Sequence, residues 1–160
     1  MSARPVRAGF LPFVVAASCV ATLAFAAASP PVRVASVERL PAAVQKTVRA
    51  ESAGGTIRAL WKETGEDGKI VYEAELLVKG LTRDLNIAAD GTVLVREQQL
   101  TLAELPEPVR RTVLAAAGGR KIRMLESVSL KGDLAYYEAH VGSGKSLEEV
   151  KVGLDGARIP

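Results

Sequence analysis

The chain repeats itself at a fixed offset of 65 residues, and this constrains its fold more than any other feature. Laying 36–95 on 101–160 without a gap gives 15 identities in 60 positions. Leu40-Pro41 falls on Leu105-Pro106, and Val44, Thr47, Val48 and Ala50 fall on Val109, Thr112, Val113 and Ala115. Gly54 meets Gly119, Ile57-Arg58 meets Ile122-Arg123, and Leu60 meets Leu125. Tyr72-Glu73-Ala74 then meets Tyr137-Glu138-Ala139, and Asp90-Gly91 meets Asp155-Gly156. The pattern reads as a tandem duplication. The expected copies span 36–100 and 101–160.

Each copy predicts the same elements. Ser36 and Thr101 can cap a first turn, and Thr101-Leu102-Ala103-Glu104 is a capping-box pattern. Pro41 and Pro106 suit a first helical turn, where a missing N–H costs nothing. Leu40, Val44 and Val48 recur at helical spacing, as do Leu105, Val109 and Val113, and Gly54-Gly55 or Gly118-Gly119 stops each helix. First strands are expected over 56–63 and 121–129, second strands over 69–78 and 134–142, and third strands over 82–89 and 147–154. Asp90-Gly91 is a hairpin signal leading into a further strand, 92–96. The predicted class is α+β, with tandem αβββ repeats forming an antiparallel sheet and both helices packed on one face. A repeat of this size is marginal alone, so the two are expected to abut edge to edge and share a core. The connector 97–100 has no Gly or Pro, which argues against a flexible linker.

The order of Leu-Pro helix, Gly-Gly stop, Ile-Arg strand, Val-Tyr-Glu-Ala-Glu strand and Asp-Gly-Thr-Val-Leu close resembles the PepSY-like family over nearly all of 36–160. That family is similar to PepSY modules and to the β-lactamase inhibitory protein, itself a tandem of helix-plus-sheet units. The resemblance implies an exported, non-catalytic module that binds, inhibits or regulates. It implies a protein partner in the cell envelope, such as a peptidase or another periplasmic enzyme. It brings no catalytic residues and no cofactor.

The amino terminus addresses location. Arg4 and Arg7 precede an uncharged run from Ala8 to Ser29, and Ala24-Phe25-Ala26 or Ala26-Ala27-Ala28 offers an A-x-A exit. Residues 1–28 are expected to be a secretory signal, with 29–35 a short linker and the mature chain beginning near Ala27 or Ser29. The expected location is periplasmic or secreted. The competing readings are a retained membrane anchor and a lipid on Cys19, so membrane attachment is expected only through an uncleaved or lipidated amino terminus. Removing the signal lowers the net charge from +3 to +1, so overall charge gives no argument for nucleic acid. It also removes the only cysteine, and with it any disulfide, thiolate nucleophile or cysteine-based metal site.

The remaining chemistry is sparse. His140 is the only histidine and lies beside Glu138, with Glu148 and Glu149 expected on the next strand. A transition-metal site wants three or four ligands of defined geometry, and the matching position in the first copy is Glu75, so no metal site is expected. Glu73, Glu75 and Glu138 read as the solvated face of a sheet, without a pocket to raise a pKa. Ser143-Gly144-Lys145-Ser146 echoes the end of a phosphate loop but lacks the upstream Gly. Arg110, Arg111, Arg120, Lys121 and Arg123 form a basic cluster read as solvated surface, and Trp61 is expected to close the core edge.

Binding is therefore assigned to the sheet face opposite the helices. Alternation places Tyr72, Ala74, Tyr137 and Ala139 in the core, so Glu73, Tyr136, Glu138 and His140 point away from it. The same alternation puts Arg58, Leu60, Arg123 and Leu125 on the open face. These eight residues are the candidate partner-binding set. The alternative reading is a periplasmic small-ligand or metal-binding sensor that uses a cleft between the repeats.

Overall fold

A computed structural model of the chain describes residues 30–65 and 67–160. The expected signal 1–28, both cleavage positions and Cys19 lie outside them. Two helices, α1 (Ala42–Ser52) and α2 (Glu107–Ala117), each follow a short 3-10 turn, Val37–Arg39 or Leu102–Glu104. The capping box at Thr101 forms, the Glu104 carboxylate accepting from both the Thr101 N–H and hydroxyl at 2.7 Å. It caps the 3-10 turn, not the helix. Pro41 and Pro106 stand one position earlier than expected, at the helix N-caps, where their carbonyls accept the first helical bonds from Gln45 and Arg110 at 2.9 Å. Gly118 takes the left-handed cap of α2 as its type favours, but in α1 that conformation falls on Ala53 (φ 46°), one residue before Gly54.

Nine strands run antiparallel in chain order: β1 (Val32–Arg33), β2 (Thr56–Thr64), β3 (Ile70–Val78), β4 (Leu81–Ala88), β5 (Val93–Gln99), β6 (Ile122–Leu130), β7 (Asp133–Val141), β8 (Glu148–Gly153) and β9 (Arg158–Ile159). Two stretches read as connections are strands. Val32 and Arg33, in the expected linker, pair with Lys62 and Trp61. Most of the connector 97–100 belongs to β5, which pairs with β6 from Val95↔Leu130 to Gln99↔Glu126 and makes the sheet continuous.

Both helices cover one face. Val44, Val48 and Val109 are wholly buried, with Val113 almost so. Burying each such side chain is worth roughly 1.5–3 kcal/mol, which outweighs the weak intrinsic stability of an 11-residue helix. The expected shared core is instead two clusters. Under α1, Leu40, Val44 and Val48 meet Leu60, Ala74, Leu76, Leu85 and Ile87. Under α2, Leu105, Val109 and Val113 meet Leu125, Tyr137, Ala139, Val150 and Val152. The helices lie over different strands, α1 on β3 and α2 on β7 and β8, so each seals its own part of the sheet.

One local device occurs twice and explains several of the repeated residues. The Thr47 hydroxyl donates to the Gly91 carbonyl at 2.7 Å, and Thr112 donates to Gly156 at 2.7 Å. Both glycines have φ near +90°, and an added Cβ would meet Ala43 carbonyl oxygen at 2.8 Å or Pro108 Cβ at 2.6 Å. The preceding Asp90 and Asp155 accept from the backbone N–H of Thr92 and Ala157 at 2.9 Å. Helix threonine, turn glycine and turn aspartate form one clamp between each helix and a β-turn.

Candidate functional site

The face away from the helices carries the polar chemistry, and two β-bulges decide which residues reach it. Register shifts between Ile57 and Ala59 on β2, and between Ile122 and Met124 on β6. Each absorbs one residue, Arg58 or Arg123, so alternation beyond it is reversed. Leu60 therefore pairs with Ala74 and Leu125 with Ala139, both in the core at 4% and 6% exposure. These two leucines correct the expected open-face set. Arg58 and Arg123 are exposed at the bulges themselves. Trp61 moves the other way: it pairs with Glu73 on the uncovered face, and its Nε1–H donates to Glu75 at 3.0 Å.

Glu73, Tyr136, Glu138 and His140 do lie on the uncovered face with Glu75, joined by Asp84, Glu97 and Glu126, which the sequence reading did not single out. In cross-strand register, Glu75 faces Asp84, Asp84 faces Glu97, and Glu126 faces Glu138. Like charges directly opposite one another destabilise a sheet. Partial shielding adds to the cost. Glu126 is 4% exposed and Val128, also on this face, 1%. The helices pack against the opposite side, α1 on β3 and α2 on β7 and β8.

The carboxyls respond as crowded, desolvated acids must. Burial first, then repulsion from Glu63, Glu75, Asp84 and Glu97, pushes Glu73 up to about 7. Burial pushes Asp84 to about 6, with repulsion from Glu75 added and Arg58 opposing. Burial pushes Glu97 to about 7, with repulsion from Glu138 and Asp84 added, and pushes Glu126 to about 7, with repulsion from Glu97 added and His140 opposing. The reading of Glu73 as an ordinary solvated acid is thus corrected. His140 shifts upward, mainly because its Nε2 lies 2.9 Å from the Glu138 carboxylate, while burial opposes this. Burial lifts the Tyr136 phenol to about 12.

Aromatic side chains with cations flank the acids. Arg33 lies 5.8 Å from the Trp61 ring centre, and Lys151 lies 5.7 Å from that of Tyr136. Lys151 also pairs with Glu149 at 3.1 Å. Glu148 and Glu149, expected on the next strand, stand on β8: Glu149 faces His140 in register, while Glu148 holds Arg120 at 2.9 Å and Arg158 at 2.6 Å. On the helix side, Glu51 at the end of α1 pairs with Arg83 and Arg96, and Arg83 also donates to the Glu51 carbonyl at 2.8 Å. That half-buried network fastens α1 to β4 and β5.

No protein-family model matches this chain, and no curated protein matches it. Several solved structures do. One is a DUF2874 family protein from Bacteroides ovatus, at TM-score 0.57 and 16% identity over 76% of this chain and 85% of that one. A candidate periplasmic protein from Bacteroides eggerthii matches at TM-score 0.60 and 14% identity over 76% and 86%. A BLIP-like (β-lactamase-inhibitor-like) protein from Bacteroides fragilis matches at TM-score 0.54 and 16% identity over 74% and 82%. At such identities the likeness establishes fold. The chain has a BLIP-like α+β fold.

Proposed function

We propose that this chain is an exported, non-catalytic PepSY-like module, built as a tandem duplication, that recognises a basic protein surface through its uncovered sheet face. The observation that carries the reading is the row of carboxylates from Glu75 through Asp84 and Glu97, kept face to face at a cost to the sheet. A chain that breaks a local rule of sheet pairing without a structural gain does so at a working surface. Trp61 and Tyr136 add the aromatic residue types that anchor interfaces. A partner presenting Lys or Arg would neutralise the acids as it desolvates them, so charge complementarity fixes both partner class and orientation.

The partner proposed is an envelope protein, such as a peptidase or another periplasmic enzyme, which the module inhibits or regulates. The location proposed is the periplasm or the exterior. It is supported by the amino-terminal export pattern and by the candidate periplasmic protein of the same fold. Among the described residues no helix is long and apolar enough to cross a membrane.

Affinity purification from envelope extract tests the reading, comparing the parent with the double variant Glu73→Lys, Tyr136→Ala. A stoichiometric protein captured by the parent and lost from a folded double variant is the expected result. Equal capture by both would place recognition elsewhere.

A further inference from the structure

Two groups of three potential metal ligands meet on the uncovered face and share one residue. Glu126, Glu138 and His140 form one group, and Asp84, Glu97 and Glu126 form the other, with ligand atoms in each within 4.8 Å of one another. Glu126 is the hinge between them. It is 96% buried by its 4% exposure, and its carboxylate accepts no hydrogen bond from any described residue. Its oxygens keep only a little contact with water, and a carboxylate so shielded and without a donor gains from a counter-ion.

We propose that Glu126, Glu138 and His140 hold one divalent transition-metal ion at the centre of the sheet face. The centre of an equilateral triangle of 4.8 Å edge lies about 2.8 Å from each corner, so modest side-chain rotation reaches metal–ligand distances of roughly 2.0–2.2 Å. The three residues stand on adjacent paired strands, with Glu126 facing Glu138 and His140 two residues further along β7. The backbone that positions them is therefore fixed before an ion arrives. An imidazole with two carboxylates suits a borderline cation such as Zn2+, whereas an all-oxygen set would favour Ca2+. Asp84 and Glu97 bring further carboxylate oxygens within 4.8 Å of Glu126. In the ion-free protein the His140 Nε2 contacts Glu138 Oε1 at 2.9 Å, and an ion replaces the proton between them. This inference does not depend on a protein partner, because it concerns only side chains of this chain.

The test uses the intact chain in a Cys19→Ser background, so that the sole thiol cannot contribute. Chelator-stripped protein is titrated with Zn2+ and, separately, Ca2+ by calorimetry at neutral pH. One Zn2+ should bind saturably, at least 10-fold more tightly than Ca2+, and Glu126→Gln and His140→Phe should each weaken Zn2+ binding at least 10-fold. Because His140 is the only histidine, its ring resonances in NMR need no assignment and should move in step with Zn2+ occupancy. That measurement on the parent decides the matter even if a variant fails to fold. No saturable Zn2+ binding, unchanged His140 resonances, or full affinity in a folded Glu126→Gln variant would each overturn the proposal.

Discussion

Replacing Glu73 by Gln should stabilise this protein at pH 8 and leave it unchanged at pH 4. Glu73 carries a carboxyl raised from 4.5 to about 7 by burial and by the acids around it: Glu63 on β2, Glu75 on its own strand, Asp84 on β4 and Glu97 on β5. Trp61 and Asn86 stand directly opposite it and bring no charge. Because the folded value is raised, the folded chain keeps a proton that the unfolded chain has lost. The contribution to stability is therefore full below about pH 4.5 and disappears as pH rises through about 7. A shift of this size corresponds to about 3 kcal/mol at 1.36 kcal/mol per unit. Partial contact with water screens it, leaving about 1–2 kcal/mol to be regained when Gln takes the place of the ionised acid. Urea unfolding in the presence of chelator, followed by far-UV circular dichroism at pH 4, 6 and 8, measures this. A variant destabilised at pH 8, or stabilised equally at pH 4 and 8, would show that Glu73 is not a desolvated acid repelled by its neighbours.

Three further outcomes follow from the packing. Leu125→Ala should cost about 2–5 kcal/mol in denaturant unfolding, because Leu125 sits under α2, whereas Arg123→Ala two residues away should change stability by less than about 0.5 kcal/mol. Gly91→Ala should be strongly destabilising by thermal melting, since its Cβ would press on the Ala43 carbonyl at 2.8 Å in a left-handed turn, while Gly68→Ala, left-handed but with open space around it, should cost less. A fragment spanning 36–100 should be poorly folded or dimeric by sedimentation, because it leaves the β5 edge without β6; a monomer melting like the whole chain would contradict this.

Much of the fold was legible because it rests on period and punctuation. The Leu-Val-Val stripes give both helices, and the alternation through Tyr72-Glu73-Ala74 and Tyr137-Glu138-Ala139 gives the correct face on β3 and β7. The bulges at Arg58 and Arg123 were not legible, since no Gly or Pro marks them, and one uncounted residue sends Leu60, Leu125 and Trp61 to the opposite face. The acidic row was hidden for a different reason. Asp84, Glu97 and Glu126 stand on three strands and become neighbours only through the register of β4, β5 and β6, and Glu97 was read as connector.

The uncovered sheet face, not the helix side, should meet this protein's partner. A photo-reactive amino acid placed at Trp61 or Tyr136, and separately at the exposed Leu114 of α2, tests it in the native envelope. One discrete protein adduct is expected from both face positions and none from Leu114. An adduct formed from Leu114 alone, or equally from all three positions, would contradict it.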